Sequence, residues 1–159
     1  MAPIDTHQTD RSTVVHVNKS RIRWLTATLV ALLPVLACTL YPFRFSFRYH
    51  PVRSIWDVLL IGIGPDEAPD IAENVLLFLP FGITLAGYLE HKRVRADAAV
   101  LVVLFLSFSI SYVVEVLQLF MPGRFSSVTD VVSNTSGGGL GLLVLRAFRA
   151  ATVAKDHDA

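Results

Sequence analysis

EVLQLFMPGRFSSVTDVVSNTSGGGLG, residues Glu115 to Gly141, joins two apolar runs through a turn and carries charges where hydropathy calls for hydrocarbon. Glu115 and Gln118 are three apart and share one helix face, and Asp130 and Asn134, four apart, do the same on the next helix. The turn between them, Pro122-Gly123-Arg124-Phe125-Ser126-Ser127, is short, which predicts antiparallel neighbours. Glu115 precedes Met121 by six residues, about 9 Å of helix at roughly 1.5 Å per residue. Four polar side chains can therefore meet at one level of a bundle, with Arg124 above them. Ionisable groups inside spanning segments are costly, usually face the bundle interior and are functional candidates by default.

Outward from this stretch the chain reads as a polytopic membrane protein. Of its 159 residues, 53% are hydrophobic and 17% charged, and the charges are sparse in long apolar runs. A spanning helix needs about 20 mostly apolar residues. Four segments qualify, roughly Trp24–Tyr41, Ile71–Leu89, Ala98–Met121 and Val128–Phe148. The first half of the fourth is Ser, Asn, Thr and Gly, so it is the least hydrophobic. The expected fold is all-α: a polytopic membrane bundle of four transmembrane helices with a short interfacial segment between the first and second. That segment, Ile55 to Ile63, is apolar but too short to cross. Before it, Phe43, Phe45, Phe47 and Tyr49 alternate with Arg44, Ser46, Arg48 and His50, a period-two pattern suited to an extended stretch at the headgroup level. Residues 1–20 form a cytoplasmic tail, polar, without periodicity and expected to be disordered. Residues 21–150 are the membrane domain and 151–159 a second cytoplasmic tail.

Charge placement orients the bundle. With four crossings, ten of the fourteen Lys and Arg fall on one side: Arg11, Lys19, Arg21, Arg23, Lys92, Arg93, Arg95, Arg146, Arg149 and Lys155. Arg44, Arg48, Arg53 and Arg124 fall on the other. The positive-inside rule then puts both termini in the cytoplasm and turns the Glu115–Asn134 group outward. Trp24 and Tyr41 bracket the first segment as interfacial aromatics. The net charge of +1 gives no bulk electrostatic case for nucleic acid. A lone Cys38 excludes an intrachain disulfide and a Cys-rich metal site. Val35-Leu36-Ala37-Cys38 loosely resembles a lipoprotein cleavage box, and cleavage there would remove the first crossing, whereas a retained helix gives a consistent topology. The glycine run lacks both the Lys-Ser/Thr and the strand of a phosphate loop. No cofactor and no metal are expected, although Asp70, Glu73, Glu115 and Asp130 offer oxygen ligands of the kind a hard cation uses.

Segment two adds Asp70, Glu73, Asn74 and Leu77 at helical spacing on its outer end. Pro80 frees the carbonyl of Leu76 and predicts a kink below them. Asn74-x-x-x-Phe78-x-Pro80-Phe81-Gly82, Glu115-x-x-Gln118, Arg124, Asp130-x-x-x-Asn134 and the glycine cluster together resemble the VanZ-like family of small bacterial membrane proteins. The resemblance covers roughly Leu25 to Leu145, and the Tyr41-Pro42-Phe43 exit from segment one suits it. Glu73 directly beside Asn74 is less typical of the pattern. The family takes its name from a protein of a glycopeptide-resistance cluster associated with teicoplanin resistance, and its members have no settled biochemical activity. The resemblance implies the bacterial cytoplasmic (inner) membrane, a role in envelope homeostasis or glycopeptide resistance, and Asn74, Glu115, Gln118, Arg124, Asp130 and Asn134 as ligand-binding residues.

Three functions fit these residues. An outward polar pocket binds or handles a cell-envelope lipid or lipid-linked precursor, with Arg124 as the anion contact, since guanidinium binds phosphate bidentately. Excess carboxylate points to an ammonium or a divalent cation in the ligand. Alternatively, Glu115 and Asp130 act as a catalytic acid–base pair on a lipid-linked substrate. Against this, none of the five histidines falls in a predicted helix core, and the sequence has no His-Glu-x-x-His motif or nucleophile elbow. Thirdly, the group is a scaffold: polar residues clamp the helices, Ser127-x-x-Asp130 is a capping box, and Gly137 with Gly141 is a small-xxx-small packing pair.

Overall fold

The computed structural model describes residues 6–46, 68–124 and 126–157. They form four helices, α1 (Thr6–Leu40), α2 (Ala68–His91), α3 (Ala96–Gln118) and α4 (Val128–His157), and no strand among the described residues. Each holds a stretch long and apolar enough to cross a membrane: Lys19–Leu40, Asp70–His91, Ala96–Gln118 and Val128–Asp156. The protein is thus the all-α bundle of four spanning helices that the hydropathy pattern predicts.

Both ends of the chain differ from expectation. α1 begins at Thr6, so residues 6–20 of the stretch read as an unordered tail are helical, and α4 continues past Phe148 to His157. Once a long apolar helix exists, extension adds one hydrogen bond per residue with no new nucleation penalty. Thr6 to Asn18 contains neither Gly nor Pro to stop it. The interfacial segment Ile55–Ile63 lies outside the described residues, as does the second half of the Phe/Arg alternation.

α2 and α4 share the largest interface, and glycine is the reason. A Cβ on Gly82 would lie 2.8 Å from the Cα and carbonyl carbon of Gly138. One on Gly141 would stand 2.7 Å from the Ile83 nitrogen, and one on Gly137 would meet the Val75 backbone. Small residues let helices approach closely in lipid, where packing replaces the hydrophobic drive. Around this seam Phe78, Phe81, Leu85 and Leu89 of α2 pack with Ala99 and Val103 of α3, Leu142 and Leu145 of α4, and Ala31 and Val35 of α1. Large apolar residues such as Leu33, Leu101, Phe105 and Phe148 point outward. Ser107, Ser111 and Asn134 are turned inward instead, where polar side chains can bond across helices. α2 passes through Pro80 as one helix. The Thr84 hydroxyl there donates to the carbonyls of Pro80 and Phe81, at 2.9 and 3.1 Å.

The bundle has two dissimilar ends. At one, Arg149 pairs with Glu90, Arg146 Nη2 donates to the Ala96 carbonyl at 2.9 Å, and Ser20 Oγ lies 2.7 Å from His91 Nε2. His91 Nδ1 is 3.1 Å from the Gly87 carbonyl, which can only accept, so Nδ1 carries a proton. Trp24, read from sequence as an interfacial anchor, packs against Gly87 and the His91 ring, with ring centroids 5.9 Å apart. The opposite end collects Thr39, Asp70, Asn74, Gln118, Arg124 and Asp130.

Candidate functional site

At that second end residues of all four helices line an open cavity of about 460 Å³. The last turn of α1 contributes Cys38 and Thr39, and α3 contributes Gln118. α2 supplies Asp70, Glu73, Asn74 and Leu77, a run of i, i+3, i+4 and i+7 positions that keeps them on one face. Gly123 and Arg124 come from the α3–α4 turn, and Asp130 from the first turn of α4.

Polar bonds tie the wall together. Asn74 Nδ2 donates to Asp130 Oδ1 at 2.8 Å, joining α2 to α4. Gln118 Nε2 donates to the Thr39 carbonyl at 3.0 Å, joining α3 to α1. Arg124 Nη2 donates to the carbonyls of Tyr41, at 3.0 Å, and Cys38, at 3.5 Å. The final carbonyls of a helix have no partner within it, and a basic side chain can satisfy them. Arg124, expected from sequence as an anion contact, therefore also caps the end of α1.

Glu115 and Asn134 are not in the wall. Glu115 is 1% exposed, and its Oε2 accepts the Ser127 N–H at 3.0 Å. Ser127 Oγ in turn accepts the Thr129 N–H at 3.1 Å, an N-cap bond to the second helical residue and not to the third, Asp130, that a capping box implies. In a capping box the third helical residue accepts the cap N–H. Here a carboxyl group from α3 occupies that acceptor place, while Asp130 reaches α2. Ser126 Oγ donates to the Glu115 carbonyl at 2.8 Å, binding the turn to α3 a second time. Glu115 does not line the cavity, and its bonds to the turn place it one layer behind the wall. Deeper yet, Asn134 Nδ2 donates to Ser111 Oγ at 2.8 Å, and Asn134 is also 1% exposed.

Of the six ligand-binding candidates, Asn74, Gln118, Arg124 and Asp130 converge on the cavity, whereas Glu115 and Asn134 brace it from within. Sequence reasoning missed Thr39 and Ser111. Thr39 sits on a helix with no charged neighbour to flag it, and the part it plays towards Gln118 is through its carbonyl. Ser111 had a legible signal: Ser107 and Ser111 are four apart in an otherwise aliphatic run, on one helix face. No group of three His, Cys, Asp or Glu placed to hold a metal ion exists among the described residues.

Comparison with known proteins places this architecture. The VanZ/LLP1 family model matches residues 7–149, spanning all four helices up to the last turns of α4. The chain belongs to the VanZ/LLP1 family. Protein VanZ of Enterococcus faecium is 33% identical over 73 residues, covering 46% of this chain. The match spans only 42% of that relative's length. No solved structure matches the chain. For this VanZ/LLP1 protein the cavity-lining residues and their braces come from all four helices, so the site belongs to the bundle and not to one motif.

Proposed function

We propose that the cavity is a binding site for an amphipathic cell-envelope ligand, a lipid or lipid-linked precursor, and that it opens on the outer face of the bacterial cytoplasmic membrane with both termini in the cytoplasm. The single observation that carries this reading is the cavity itself, polar on α2, α3 and α4 and located at the end of the bundle poorer in Lys and Arg. Its position at a membrane surface suits a ligand with a polar head and an apolar tail. The positive-inside rule supports the orientation. By family resemblance, the biological consequence is envelope homeostasis or reduced susceptibility to a teicoplanin-type glycopeptide.

Binding is better supported than paired-carboxylate catalysis. A general acid or base must come within hydrogen-bond reach of the proton that it moves. Glu115 stands behind the wall with an oxygen engaged by the Ser127 N–H. A scaffold role accounts for Glu115 and Asn134 but leaves Asp70 and Glu73, both exposed, without a task.

The test is glycopeptide susceptibility, together with mass spectrometry of co-purifying lipids, for the wild type, Leu77→Trp and Asn74→Ala. Leu77→Trp fills the cavity and Asn74→Ala removes one polar wall group. Both variants, once shown to insert and fold, should lose the phenotype and the bound lipid. Retention of both properties in both variants would eliminate the cavity as the functional site.

A further inference from the structure

The chemistry of the wall goes further than its shape, and the step rests on the reading of the cavity as an amphiphile site. Three carboxylates, Asp70, Glu73 and Asp130, line it against one guanidinium, Arg124. That guanidinium already directs Nη2 at the carbonyls closing α1, which are themselves negative dipole ends. Its charge is thus partly answered by protein, while Asp70 and Glu73 are exposed on the α2 face that the cavity bares.

A purely anionic headgroup would meet more repulsion than attraction here. A compact metal ion would want several oxygens converging within about 2.6 Å, and the described carboxylates do not form such a group. An organic cation needs no such convergence, because its N–H donors spread over several acceptors. Asp70 and Glu73, three apart on one helix face, are spaced to share one.

We infer that the cavity selects a head group carrying a primary ammonium, which Asp70 and Glu73 contact, over head groups that are only anionic. In a zwitterion the phosphate would turn towards Arg124. The ammonium belongs either to a phospholipid or to a soluble amine, and the two sources separate experimentally.

The experiment is native mass spectrometry of the full-length protein, exposed to equimolar phosphatidylethanolamine and phosphatidylglycerol with matched acyl chains. Thermal unfolding in millimolar ethanolamine runs beside it. Wild type should retain phosphatidylethanolamine about threefold to tenfold over phosphatidylglycerol, the range set by two partly exposed ion pairs. The double variant Asp70→Asn/Glu73→Gln should bring the ratio to about one with no loss of folding, since both side chains are exposed. Stabilisation by ethanolamine in wild type, absent in the double variant, would also support ammonium recognition and assign it to a soluble ligand. Equal or greater retention of phosphatidylglycerol with no ethanolamine response, both lipids being lost in Leu77→Trp, overturns the ammonium inference and leaves the amphiphile site standing. Retention no greater than in Leu77→Trp, with no ethanolamine response, sinks the amphiphile reading and with it this inference.

Discussion

Where Gly82 faces Gly138 and Gly141 faces Leu79 and Ile83, α2 and α4 meet backbone to backbone. Two turns nearer the polar end the same helices meet through side chains, with Asn74 bonded to Asp130 at 2.8 Å. The closed seam excludes everything larger than hydrogen, whereas the polar end leaves about 460 Å³ open. One helix pair therefore provides both anchor and site. The transition takes place within α4 between Asp130 and Gly137, as the residues turn from polar to small.

The strongest way to break this contrast is to put side chains into the seam. Gly82→Val and Gly141→Leu should each destabilise by about 3 kcal/mol, since overpacking against backbone leaves nothing flexible to yield. Thermal unfolding in detergent measures this, and an unchanged midpoint would mean that the seam can open as readily as the cavity end. Glu115→Ala comes next. It removes the acceptor of the Ser127 N–H and should destabilise by about 1–3 kcal/mol, the usual consequence of an unmet buried donor. Glu115→Gln retains a carbonyl acceptor and should recover most of that loss. Equal losses in the two variants would point to the charge, not the cap bond, as what matters.

Much of this was legible in the sequence, and unevenly so. The four spans follow from hydropathy because lipid demands about 20 apolar residues from any helix that crosses it. The α2 quartet Asp70, Glu73, Asn74 and Leu77 was legible because helix periodicity alone decides which side chains share a face. Gly137 and Gly141 were readable as a packing pair, but their partners, Val75, Leu79 and Gly82, depend on which helix comes alongside. Glu115 and Asp130 were both legible as site candidates, one per helix near a common turn. Their separation into brace and wall depends on rotation about each helix axis and on the Ser127 N–H, neither of which a linear pattern fixes. The second task of Arg124, capping α1, was hidden for a similar reason, since its carbonyl partners at the end of α1 lie more than eighty positions away.

Smaller effects sharpen the comparison. Arg124→Ala should destabilise by about 1 kcal/mol through loss of the bonds to α1, with the loss localised there as faster hydrogen exchange in residues 38–41. Uniform loosening of all four helices would deny Arg124 its capping role. Gln118→Leu and Asn74→Leu should change stability least, by under about 1 kcal/mol each, yet reduce co-purifying lipid measured by mass spectrometry. Large stability losses without a change in lipid would move these two residues from the site to the scaffold.

The most direct measurement uses Cys38, the chain's single cysteine, which is exposed and lines the cavity. A membrane-impermeant thiol reagent applied to right-side-out cells or spheroplasts should modify Cys38, and Leu77→Trp should slow the reaction. Modification confined to inverted vesicles would contradict the outward orientation. A thiol that reacts only after denaturation would contradict the open cavity on which the account depends.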